Sequence, residues 1–177
     1  DFLGKRVLEV GAGIGTHTAK IMGTSPELLI ALEREKDFCA SLRKSFGDKV
    51  VVLNADLEKI SELREELRSR RIDTIVAMNV LEHIHSDVDC LQALSEILTD
   101  NGRIILIVPA FRFLFSELDR KYGHHRRYKK SNLAEYAQRL DMDLIESFYF
   151  NVFGWFAWFV SAKLLKVRQI SRHGMSF

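Results

Sequence analysis

LEVGAGIGTHT, residues 8–18, is the stretch on which the fold turns. An apolar run at 6–10 feeds straight into glycines at 11, 13 and 15 and then into a helical segment. Glycine lets the backbone turn tightly there and lets a ligand approach the main chain, which is the geometry of a cofactor loop. A nucleotide-dependent dehydrogenase also places glycines after its first strand, so spacing has to separate the two. The dinucleotide fingerprint wants its third glycine three residues after the second, at position 16, and that position is Thr16. The pyrophosphate interpretation loses ground.

Outward from this loop, apolar runs of strand length alternate with segments of helical period. The strands are expected at 6–10, 28–32, 49–53, 73–78, 103–108 and 144–150. Their β-branched or leucine-rich cores do not alternate, so both sheet faces are covered. The expected class is α/β: a Rossmann-like, mostly parallel sheet with helices on both faces. Helices after Gly15 and over 35–46 should stop at Gly23 and Gly47 in left-handed turns. A third carries Ile60, Leu63 and Leu67 on its apolar face. A fourth is capped by Ser86 or Asp87 and points Val88, Leu91, Leu94 and Leu98 inward.

The chain of 177 residues suits one domain with a real core. Apolar residues make up 47% and charged residues 28%, which excludes a disordered chain. Twenty-six basic residues against 24 acidic leave a net charge of +2, too little to argue for nucleic acid. Cys39 and Cys90 have no metal-ligand spacing, and a reducing cytoplasm suits them. Asp1 lies almost on top of the first strand and no leader precedes it, which reads as a trimmed chain.

Further candidates sit at the carboxyl ends of neighbouring strands, the edge where open α/β sheets bind ligands. Glu33 lies twenty residues beyond Gly13, where a carboxylate can accept from two ribose hydroxyls. Asp56 can accept from an exocyclic adenine amine, with Leu57 beside it to pack on the ring. Asn79 follows the fourth strand. Each has a plain structural alternative: Glu9 a loop cap, Asp56 an Asx turn, Asn79 a partner for backbone groups. His83 reads as holding local structure.

With LEVGAGIGTHT at 8–18, Glu33, NADL at 54–57, MNVLEHI at 78–84 and LTDNGRIILIVP at 98–109, the chain resembles class I S-adenosylmethionine-dependent methyltransferases over roughly residues 4–150. The resemblance implies that Glu9 orients the methionine end of S-adenosylmethionine and that Gly11, Gly13 and Gly15 hold its backbone contacts. It implies further that Glu33 takes the ribose, Asp56 and Leu57 the adenine, and Asn79 the neighbourhood of the sulfonium.

After the fifth strand, Arg120, Lys121, Arg126, Arg127, Lys129 and Lys130 crowd into eleven residues with no acid, around His124 and His125. By itself this could be a solvated turn before a helix capped by Ser131. It also resembles a GHxRRY block of small bacterial methyltransferases, some linked to glycosyl transfer. That resemblance puts Arg126, Arg127 and Tyr128 beside the acceptor. Arginine forks suit carboxylate and phosphate, so an anionic small-molecule or lipid-linked acceptor is expected and nucleic acid is not. His124 or His125 is the expected general base, and methyl transfer from a sulfonium needs no metal.

From 148 to 159, eight of twelve residues are aromatic. Val152, Trp155, Phe156, Phe159 and Leu164 make one helical stripe, with Phe153 and Trp158 outside it. Burial, a homodimer contact, a lipid-like substrate or shallow membrane contact through 148–165 would cover them. A final antiparallel strand is hard to find in 167–177. Two rival functions stay open: a non-catalytic S-adenosylmethionine-binding module, and a nicotinamide-dependent oxidoreductase.

Overall fold

The structure is a computed structural model and describes residues 2–150. Five strands form: β1 (Arg6–Val10), β2 (Leu28–Glu33), β3 (Val51–Asn54), β4 (Thr74–Met78) and β5 (Arg103–Ile107). Between them lie α1 (Thr16–Met22), α2 (Lys36–Phe46), α3 (Arg64–Ser69) and α4 (Asp87–Ser95). The strands are all parallel, in the order β3-β2-β1-β4-β5. The chain steps outward from β1 through β2 to β3, then returns to β4 on the other side of β1. Right-handed crossovers therefore put α1 and α2 on one face and the later helices on the other, and the reversal between β1 and β4 opens a ligand crevice.

Strand periodicity assigns the two cores. Val7, Leu29, Ala31 and Val76 pack with Ile21 of α1 and Leu42 of α2. The intervening residues Leu8, Ile30, Leu32 and Ile75 point the opposite way and are no more than 1% exposed. Each such Leu or Ile stabilises the fold by about 1.5–3 kcal/mol relative to exposure. The edge strands β3 and β5 are only half-buried.

The chain divides into two compact units, one ending at Ile107 and one starting at Val108. Within its described residues the second holds α5 (Glu117–Lys121), α6 (Lys130–Arg139) and an isolated parallel bridge between Ala110 and Tyr128.

Several expectations are corrected. Residues 144–150 form no strand; instead the Lys130 ammonium donates to the Ser147 carbonyl at 2.6 Å and Tyr149 stacks on Phe111 at 4.7 Å. Those side-chain contacts take the place of a ladder. Gly23 stays right-handed at φ −61°, because its own N–H and the Thr24 hydroxyl already satisfy the last-turn carbonyls of Ala19 and Ile21. The left-handed residue comes two positions later, at Ser25. The third helix begins as a 3-10 turn over Leu57–Leu63, kinked at Lys59, before α3. Ser131 lies inside α6, whose N-cap is Lys129; the Lys129 N–H donates to Asn132 Oδ1 at 3.1 Å. The residues of the aromatic stripe from Val152 on, and 167–177, lie outside the described residues. No helix among the described residues is long and apolar enough to cross a membrane.

Candidate active site

Two short hydrogen bonds to one carbonyl start the glycine loop: Gly11 N and Ala12 N both donate to Leu32 O, at 2.8 and 3.2 Å. The chain can make that turn because Gly11, Gly13 and Gly15 have φ of 71°, 55° and 90°. The three glycines differ in what surrounds them. A Cβ on Gly11 would lie 2.4 Å from a Val80 methyl, and one on Gly15 would lie 2.8 Å from Leu42 and Phe46. At Gly13 no atom stands within 4 Å of that position. The space a side chain would need is taken at Gly11 and Gly15 and open at Gly13.

Glu33 holds this loop in shape. Its side chain is 7% exposed, and its two oxygens accept from Gly13 N and Glu35 N, each at 2.8 Å. Its carbonyl accepts from Ala55 N and from Asn54 Nδ2. One residue thus ties together the ends of β1, β2 and β3. Each carboxylate oxygen has a further lone pair with which to accept a hydroxyl.

Glu9 is 2% exposed, and its Oε2 accepts from the Thr18 hydroxyl at 2.6 Å. Burial pushes this carboxyl up to about 7, and the Thr18 hydroxyl only partly opposes the rise. Thr18 was not singled out from the sequence; only the return of α1 beside β1 reveals it. Asp56 forms the turn that was its structural alternative, accepting from Glu58 N at 3.0 Å through Oδ1. Leu57 is buried. Asn79 is exposed, with φ +54°, and its N–H ties the end of β4 to Ile107 O at 2.8 Å. Asparagine is one of the few non-glycine residues that adopts this left-handed backbone readily.

In the second unit the basic block is organised by a residue just outside it. Asp119 has no exposed side-chain surface. Its Oδ2 accepts from Ser116 N at 2.8 Å and the Ser116 hydroxyl at 3.0 Å; its Oδ1 meets His124 Nδ1 at 3.0 Å and accepts from Arg127 Nε at 2.8 Å. Burial alone would raise this carboxyl, but the bonds from His124 and Arg127, the Arg127 charge and the Ser116 N–H prevail and hold it down at about 2. Arg127 also reaches the Ala110 carbonyl. Tyr128 is 2% exposed and bridges Pro109 and Phe111 through its backbone. Arg126 is half-buried and His125 exposed. The Arg127 side chain and Tyr128 are thus the buried part of the block.

A family model described as a methyltransferase domain matches residues 1–147. The chain belongs to the methyltransferase domain family. S-adenosylmethionine is the cofactor of this family, and the residues present fit it: an open backbone cradle at Gly13, a buried acid at Glu9 and a carboxylate with spare acceptor capacity at Glu33. Among curated relatives, the methyltransferase domain is 30% identical over 110 residues to the tRNA U34 carboxymethyltransferase of Colwellia psychrerythraea, covering 60% of this chain and 32% of that protein. The chain spans about a fifth to a third of the length of the curated relatives it matches. Among solved structures, the YcgJ protein of Bacillus subtilis superposes with a TM-score of 0.63 at 18% identity, over 77% of this chain and 61% of that one. The trans-methyltransferase CalH, solved with S-adenosylhomocysteine, superposes with a TM-score of 0.58 at 21% identity, over 78% and 44%. These likenesses show the Rossmann-like α/β fold.

Proposed function

We propose that this chain, as a single methyltransferase domain, catalyses S-adenosylmethionine-dependent methyl transfer to a small or lipid-linked anionic acceptor. The observation that carries the cofactor half is the preformed loop: Glu33 clamps Gly13 in a left-handed turn that faces open space. In this reading Glu9 orients the methionine end, the backbone of Gly11, Gly13 and Gly15 lines the cofactor, and Glu33 takes the ribose. Asp56 and Leu57 take the adenine and Asn79 lies near the sulfonium. The bound cofactor supplies an electrophilic methyl group, so the protein's task is alignment, exclusion of water and handling of one proton.

His124 is preferred over His125 for that proton, because its ring is fixed by Asp119 whereas His125 is exposed. Arg126, with Lys129 and Lys130, supports an anionic acceptor, and Arg127 and Tyr128 shape that surface from within. Exposed Phe148 and Phe150 support an apolar contact through 148–165, with a lipid surface or a second copy. The two buried free thiols support a cytoplasmic setting. An RNA acceptor is the second reading, favoured by the name of the tRNA-modifying relative.

Calorimetric titration with S-adenosylhomocysteine should show saturable binding, and NAD should show none; binding of NAD alone would overturn the proposal. Gly13→Ala should cost about 1–2 kcal/mol of stability for its left-handed backbone and abolish most of that binding. Gly11→Ala should destabilise the fold further, since its added carbon meets Val80; thermal melts of the two variants check the order. Labelled cofactor offered with phosphorylated, glycosylated and isoprenoid acceptors, and with RNA, identifies the acceptor. Label in RNA alone would remove the small-acceptor reading, and product from none of them would favour a non-catalytic binding module.

A further inference from the structure

A peptide group is planar and rigid, so whatever holds its carbonyl also aims its N–H. The peptide between Arg34 and Glu35 is held at both ends. Its carbonyl, on Arg34, accepts from Asn54 Nδ2 at 2.7 Å, and its N–H, on Glu35, donates to Glu33 Oε1 at 2.8 Å. The other hydrogen of the same Asn54 amide goes to the Glu33 carbonyl, at 3.0 Å. Two carbonyl oxygens facing one amide group require its nitrogen there, because Oδ1 would only repel them. Asn54 closes β3 directly opposite Glu33 in the parallel ladder, close enough for a short side chain to reach both carbonyls.

We infer that Asn54 is a positioning residue for the cofactor's ribose, setting the orientation of the Glu33 carboxylate through the Arg34–Glu35 peptide. This role rests on the reading of Glu33 as the ribose carboxylate. Gly13 N fixes Oε2 from the glycine loop, and Glu35 N fixes Oε1 from the turn. With both oxygens held, their remaining lone pairs point in set directions, as acceptance from two neighbouring hydroxyls needs. Without Asn54 the 34–35 peptide is free to tilt. Oε1 then loses its donor, and the carboxyl group turns about its last bond while Gly13 still holds Oε2. A donor on the Arg34 carbonyl also polarises the peptide, which strengthens the Glu35 N–H in turn. Asn54 is exposed, so water refills part of the gap and the fold survives its loss.

The test compares S-adenosylhomocysteine with its analogue lacking both ribose hydroxyls, by calorimetric titration of the intact chain. The wild type should bind the natural ligand more tightly; equal affinity would overturn the role of Asn54 before any variant is made. Asn54→Ala should weaken S-adenosylhomocysteine by about fivefold, the worth of one ordinary hydrogen bond, and leave the analogue unchanged. An equal loss for both ligands, or a loss for neither, would count against the ribose relay. Asn54→Asp keeps the shape but turns only acceptors toward the two carbonyls, so it should bind no better than Asn54→Ala. Wild-type affinity in Asn54→Asp would show that donation is not the cause. Arg43→Ala removes a different tie to β3, the bond from Nη2 to the Val52 carbonyl, and should leave the preference between the ligands as it is. A drop there as large as in Asn54→Ala would reduce Asn54 to general support of the edge strand. Should the wild type bind neither ligand, the cofactor reading fails and takes this role with it. Should it prefer the natural ligand while the variants behave alike, Glu33 keeps its role and Asn54 loses its own.

Discussion

Asp119→Ala is expected to be the most damaging single substitution in the second unit, costing about 3–5 kcal/mol because it removes the carboxylate that faces the buried Arg127 guanidinium. The Arg127 side chain is only 7% exposed and also reaches the Ala110 carbonyl. The Ser116 cap and the His124 anchor go with it. Typical domains are stable by about 5–15 kcal/mol, so a loss of this size removes a large share of the total. Urea denaturation followed by fluorescence measures it. A cost near that of an ordinary surface substitution, below about 0.5 kcal/mol, would show that the network adds nothing. The same network gives an acid signature. Asp119 is depressed to about 2 from an ordinary value of 3.8, so its contribution is complete above the ordinary value and is lost as pH falls toward 2.

Glu9→Gln is expected to have the opposite effect at neutral and higher pH. The Glu9 carboxyl ionises near 7 in the folded protein and near 4.5 when unfolded, so the folded state holds a proton through that interval and the unfolded state does not. Stability therefore falls as pH rises from about 4.5 through 7, by about 3 kcal/mol in all. Glutamine can still accept from the Thr18 hydroxyl and does not titrate. The variant should match the wild type near pH 4.5 and exceed it by most of that amount at pH 8. Melting temperatures of both proteins across this range decide the matter, and parallel curves would show that Glu9 does not carry the proton. A cationic group bound beside Glu9 would draw the proton off. Calorimetry of S-adenosylhomocysteine in buffers of different ionisation enthalpy should accordingly register proton release near pH 7.

What the sequence made legible follows from how local each signal is. β1 and the glycine loop are written in one short stretch: a valine- and leucine-rich run of five, then three alternate glycines whose positive φ no other residue type adopts as cheaply. Glu33 is legible because the end of β2 lands beside the start of α1 in any such crossover. Thr18 is not, since its partner is nine residues back and they meet only when α1 folds against the sheet. The expected strand at 144–150 has the aromatic residues a strand favours, but pairing needs a neighbour, and here the Ser147 carbonyl accepts from the Lys130 ammonium instead. Asp119 was overlooked because the basic run was read from Arg120 onward. The Ser116 to Asp119 spacing, a capping-box signature, was a local clue that a carboxylate there would be turned inward.

That inward carboxylate also changes the ionic-strength behaviour to be expected of the surface. Six cations stand between 120 and 130, but Arg127 is compensated by Asp119 and Arg120 is paired with Glu117. Fewer than six full charges therefore act on a polyanion over distance, and each released counterion adds to the steepness with which affinity falls in salt. A phosphorylated acceptor should thus bind with a shallower salt slope than the cation count suggests, and with recognition resting more on fit than on long-range attraction.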